Sequence, residues 1–149
     1  MRINGRATRT IWLANDGWSV EVIDQTRLPH RYETLRIDSA DAAARAIKTM
    51  VVRGAPLIGA TAAYGLALAL REGGASDGHL AASIELLASQ RPTAVNLRWA
   101  LEEMRKVLAP LSPEARVAAA YAHAARICDD DVETCRMIGS HGRPLLEAI

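Results

Sequence analysis

The stretch Val51-Val52-Arg53-Gly54-Ala55-Pro56-Leu57-Ile58-Gly59 holds the residues best suited to bind an anion. A glycine at a turn lets the backbone approach a ligand closely, Pro56 suits a first helical position, and the free N–H groups of the helix that follows point outward toward negative charge. Such a helix start contributes about 0.3–1 kcal/mol to anion binding, up to about 2 when partly buried, and a hydrogen bond from an arginine adds about 1.5–3. Arg53 would then dominate recognition of a dianion such as phosphate. Arg91-Pro92-Thr93-Ala94-Val95-Asn96 repeats the design, and two arginine-led helix starts are able to converge on one phosphate. Each motif also has a plain structural reading: a helix–helix corner with a solvated arginine for the first, and for the second a surface charge at Arg91 with Asn96 as a cap or a buried hydrogen-bonding residue.

Other chemistry-bearing groups carry less. Asp129-Asp130-Asp131 with Glu133 is acidic enough for a hard cation, but it lacks the glycine and the spaced ligands of a calcium loop and reads as a solvated helix face. His30, His79, His123 and His141 show no zinc spacing with Cys128 or Cys135, so no metal site is expected. His141, between Ser140 and Gly142, reads as a helix-end residue. The glycines at 54, 59 and 65 do not make the dinucleotide fingerprint, so a nicotinamide cofactor is not indicated.

These motifs need a scaffold. Thr10–Leu13 and Trp18–Asp24 read as strands flanking Ala14-Asn15-Asp16-Gly17, where Asp-Gly signals a hairpin, and Arg31–Ile37 reads as a third strand after the breaker Leu28-Pro29. From Asp38 the period becomes helical. Asp38 or Ser39 caps a first helix whose stripe is Ala42, Ala43, Ala46, Ile47, Met50 and Val51. Leu57–Leu70, apolar on all sides and ended by Gly73-Gly74, must lie at the centre of a bundle. A third helix spans about Asp77–Gln90 with Asp77 as its cap, and an amphipathic fourth spans about Ala94–Leu108. A fifth begins at Ser112-Pro113-Glu114 and runs to about Ile138, where Gly139 and Gly142 weaken it. The expected fold is α+β, mainly α, with a small antiparallel sheet over residues 1–37 packed on a bundle of about five helices over 38–149.

The composition bounds the rest. Of 149 residues, 50% are apolar and 23% charged, which suits one globular domain rather than a disordered or fibrous chain. A net charge of +1 from 18 basic and 17 acidic residues gives no general basis for binding nucleic acid or acidic membranes, so an anion site must be local. Cys128 and Cys135 lie two helical turns apart, too far for a disulfide, which suits a reducing cytoplasm. Met1-Arg2-Ile3-Asn4-Gly5-Arg6 is no secretory signal, and Pro56–Leu70 is too short to cross a bilayer.

Four segments resemble the N-terminal part of the methylthioribose-1-phosphate isomerase family, which is related to the regulatory subunits of eukaryotic translation initiation factor 2B. They are Ile23–Pro29, Met50–Ala60, Arg91–Ala100 and Asp131–Gly142, in the family's order, with the second and third the most specific. The resemblance implies that Arg53, Gly54, Ala55 and Arg91 contact a sugar phosphate. It implies a cofactor-free aldose–ketose isomerisation of 5-methylthioribose 1-phosphate to 5-methylthioribulose 1-phosphate, in methionine salvage. The family's catalytic cysteine and aspartate belong to a C-terminal Rossmann-like domain expected beyond Ile149, so Cys128 and Cys135 are expected to be structural and the chain alone inactive. A homodimer is implied for the full-length protein. A noncatalytic assembly module and a ribose-1,5-bisphosphate isomerase are the competing readings. Trp12, Trp99 and Met50 are apolar candidates for a methylthio pocket, or else core residues.

Overall fold

A computed structural model describes residues 2–3 and 5–147. Met1 and Asn4, at the start expected to carry no signal, and Ala148 and Ile149, where a further domain is expected to begin, lie outside the described residues. The Asp-Gly turn forms as its chemistry dictates. The Asp16 carboxylate accepts from the N–H groups of Trp18 and Ser19 and from the Ser19 hydroxyl, while Gly17 takes φ 78°. This turn joins two strands of a small sheet.

Two short strands, β1 (Arg2–Ile3) and β2 (Arg6–Ala7), pair first and are too brief to show a sequence period. The strands β3 (Ile11–Leu13), β4 (Val20–Ile23) and β5 (Thr34–Ile37) then form the expected antiparallel sheet, in shorter versions, with Ile11 opposite Val22 and Val20 opposite Ile37. Ile11, Val20, Val22 and Ile37 are buried in the common core. The Arg71 guanidinium stacks 4.1 Å from the centroid of the Trp18 ring, fastening the hairpin to the bundle.

Five helices follow: α1 (Ala40–Lys48), α2 (Ala55–Gly73), α3 (Asp77–Ala88), α4 (Val95–Leu108) and α5 (Pro113–Glu147). The fold is α+β, mainly α. Every residue of α2 from Leu57 to Leu70 is buried, and the other four helices pack around it. That is the consequence of its all-round apolarity.

Several local expectations are corrected. Ser39, one of the two expected candidates, caps α1, its hydroxyl accepting from Ala42 N–H, but α1 stops at Lys48, so Met50 and Val51 are no part of its stripe. Met50 instead takes φ 61° just past the helix, a left-handed conformation that glycine normally occupies. The cap of α3 is Ser76 rather than Asp77. Freed from capping, Asp77 pairs with Arg116, a residue only 3% exposed that also donates to the carbonyls of Leu108, Ala75 and Ala109.

The fifth helix continues past Ile138 to Glu147, with Gly139, His141, Gly142 and Pro144 inside it. His141 is therefore no helix end. Pro144 deprives Ser140 of its hydrogen bond, but Ser140 is exposed and water can replace it. From Asp129 onward, over about 28 Å, α5 carries no buried residue.

Candidate functional site

Gly54 is the residue on which the first motif turns. It caps α2 with φ 90° and ψ 135°, a conformation closed to residues with a side chain, and it offers no side-chain bond to the helix. Ala94 caps α4 and is equally unable to bond. Neither helix has an acidic residue in its first turn, whereas α1, α3 and α5 carry Asp41, Asp77 and Glu114 there. The two helix starts thus keep their positive ends uncompensated.

Gly59 sets their separation. A Cβ there would lie 3.0 Å from the Asn96 carbonyl oxygen and 3.3 Å from the Ala100 Cβ, so the start of α4 presses directly against α2. Between the helix starts lies a cavity of about 440 Å³ lined by Arg53, Gly54, Ala55 and Arg91, with Met50, Ile58, Ala94, Val95 and Asn96 around them. All four residues singled out in the sequence meet in this one place. Asn96, expected as a cap or a buried hydrogen-bonding residue, is instead a half-buried residue in the first turn of α4, where Ala94 is the cap.

The two arginines stand ready for an anion. Arg53 spends its Nε on the Met50 carbonyl, 3.2 Å away, and its backbone carbonyl accepts from the Gln25 amide. Among the described residues neither Arg53 nor Arg91 forms an ion pair, although most other arginines on the surface do. The lining contains no carboxylate, imidazole, thiol or amine. It can hold a phosphate by charge and hydrogen bonds, but it has no group suited to moving a proton.

A larger cavity of about 1040 Å³ adjoins it, sharing Val95 and Asn96. It was not legible in the sequence, because its walls come from the Ala7–Ile11 arm, the starts of α2 and α4, and the Ile127–Cys135 stretch of α5. Arg9 of the arm reaches Asp129 of α5 at 2.6 Å. Trp99 lines this cavity, 51% exposed; Met50 lines the smaller one, and Trp12 lines neither. Cys128 and Cys135 both face the large cavity without being bonded to each other. Burial pushes the Cys128 thiol up to about 11, so it stays protonated and unreactive near neutrality. Burial, with the neighbouring Cys128 and Asp129, likewise raises Tyr64 to about 12.

Among the described residues, no three metal-ligating side chains gather, and no helix is long and apolar enough to cross a membrane. Asp130 and Asp131 line the large cavity, while Glu133 pairs with Arg136.

Residues 51–148 match the profile of the initiation factor 2 subunit family. The chain is 53% identical over 149 residues to a methylthioribose-1-phosphate isomerase of Rhodospirillum centenum, a match that covers 100% of the chain and 40% of that protein. The chain spans about 40% of the length of this and the similar curated relatives. Among solved structures, the translation initiation factor eIF-2B subunit delta from A. fulgidus superposes with a TM-score of 0.84 at 36% identity, over 93% of this chain and 42% of that one. The 5-methylthioribose 1-phosphate isomerase from Pyrococcus horikoshii does so with 0.83 at 35%, over 92% and 40%.

Proposed function

Since the chain belongs to the initiation factor 2 subunit family, we propose that it is the phosphate-holding part of a methylthioribose-1-phosphate isomerase. Arg53, Gly54, Ala55 and Arg91 grip the C1 phosphate of 5-methylthioribose 1-phosphate. The observation that carries this reading is the joining of two uncapped helix starts and two unpaired arginines in one cavity of sugar-phosphate size. The reaction moves a hydrogen from C2 to C1 and leaves a ketose, with no net oxidation and no cofactor. Phosphate on the anomeric carbon hinders the usual ring opening, so the substrate must be held firmly while a proton is shuttled.

We place the shuttling groups in a further Rossmann-like domain, as the family resemblance implies; the lining of the smaller cavity offers none of its own. The exposed half of α5 is the face such a domain would cover. Cys135, Ile138, Gly142 and Leu145 recur along one stripe of it, continuous with the large cavity, and Ile138 and Leu145 are 67% and 73% exposed. The complete protein works as a homodimer in the cytoplasm, without nucleic acid or membrane.

The test is a titration of the 149-residue chain with 5-methylthioribose 1-phosphate, alongside an assay for ketose. Weak binding without turnover is expected, and Arg53→Ala or Arg91→Ala should each weaken binding about 10- to 150-fold, the worth of a charged hydrogen bond. Turnover by the chain alone would refute the assignment of the chemistry to another domain. The likeness to the A. fulgidus subunit favours a second reading, a noncatalytic assembly module, and failure of the chain to bind any sugar phosphate would select it.

A further inference from the structure

We infer that Asn96 reads the sugar of the bound ligand, holding the hydroxyls next to the phosphate-bearing carbon; this rests on the phosphate site proposed above. Asn96 lines both cavities, so a ligand anchored in the smaller one and extending toward the larger comes beside it. Its side-chain amide makes no hydrogen bond within the described residues, although the residue is half-buried. Asparagine is a poor helix former, and here it gains nothing as a cap because Ala94 holds that position. Asn96 therefore presents at the junction of the two cavities an amide that no protein group engages and that a ligand can take over from water.

The chemistry of the amide fits that ligand. It presents two donors and an acceptor from one plane, and each hydroxyl of a vicinal pair both donates and accepts. Its backbone is fixed, since the Asn96 carbonyl lies against Gly59, so the side chain springs from a set place relative to Gly54 and Ala55. Arg53 and Arg91 recognise charge, which any phosphate supplies. Asn96 distinguishes a sugar phosphate from phosphate alone.

The experiment titrates the 149-residue chain with inorganic phosphate and, separately, with 5-methylthioribose 1-phosphate, following affinity and the Asn96 side-chain NH₂ resonances. Wild type should bind the sugar phosphate more tightly and shift those resonances with it alone. Asn96→Leu, of similar shape and better helix propensity, should lose about tenfold in sugar-phosphate affinity, the worth of one or two neutral hydrogen bonds, and keep its phosphate affinity within about twofold. Asn96→Ala should do the same, and thermal melts of both variants establish that they fold. An unchanged sugar-phosphate affinity, or an equal loss for the two ligands, overturns the role of Asn96 while leaving the phosphate site intact. If Arg53→Ala alters neither affinity, the phosphate site itself is wrong.

Discussion

Replacing Gly59 with alanine sets two known effects against each other. In a helix interior, alanine is favoured over glycine by about 1 kcal/mol. The new methyl, however, would sit 3.0 Å from the Asn96 carbonyl oxygen and 3.3 Å from the Ala100 Cβ, where ordinary contact begins at 3.4 Å. Both obstacles are rigid, one being backbone and the other a methyl fixed to α4, so α4 must retreat by a few tenths of an ångström. Overpacking of this kind costs about 1–3 kcal/mol. The expected net result is a destabilisation of about 0–2 kcal/mol, measured by urea unfolding followed by circular dichroism. Because the retreat separates the two helix starts, phosphate affinity should fall by about two- to fivefold, given that about 1 Å of misplacement is worth about 100-fold in a positioned site. Gly78→Ala is the control. That residue lies in the first turn of α3 with nothing within 4 Å of a Cβ, so it should gain up to about 1 kcal/mol and leave phosphate binding untouched. If Gly59→Ala gains as much stability as Gly78→Ala and binds phosphate normally, then the contact at Gly59 does not set the separation of α2 and α4.

Three further outcomes follow from two buried groups, Arg116 and Cys128. Arg116→Met should cost about 3–5 kcal/mol, because the carbonyls of Ala75, Leu108 and Ala109 lose their donor, whereas Asp77→Ala keeps those three bonds and removes one charged hydrogen bond from the guanidinium, about 1.5–3 kcal/mol; chemical denaturation of the two variants gives the comparison. With iodoacetamide at pH 8, Cys135 should be alkylated and Cys128 spared, as peptide mapping would report. The raised Cys128 value also gives a stability that is complete below the unfolded pKa near 9 and is lost as pH climbs to about 11, up to about 2–3 kcal/mol, which Cys128→Ala should remove from the alkaline part of the unfolding profile.

Much of the scaffold was legible because single residues decided it. Asp16-Gly17 specified the hairpin, and the unbroken apolar run of α2 required a central place. What escaped had competing physics. Met50 continued the spacing of α1, but the chain needed a left-handed residue there and tolerated a methionine. Gly139 and Gly142 weaken α5 after Ile138 without ending it, and at Pro144 the lost bond is replaced by solvent. Ser76 and Asp77 are both good caps; Ser76 caps the helix, and Asp77 pairs with Arg116, 39 residues away, a contact no local pattern signals. For the candidate site, Arg53 and Arg91 stood out because the same local pattern occurs twice. The large cavity did not, since no local pattern links residue 9 to residue 128.

The exposed end of α5 gives the molecule a mechanical property. Cys128, the last buried residue of that helix, is a fulcrum, and Leu146 lies about 27 Å beyond it at 1.5 Å per residue. A tilt of about 5° at the fulcrum sweeps the tip through about 2.4 Å. Conversely, a body gripping the tip has a long arm with which to turn the stretch from Asp130 to Cys135, the part of α5 that walls the large cavity. Small relative motions between the bundle and whatever covers that helix are therefore geared down into fine adjustments of the cavity wall.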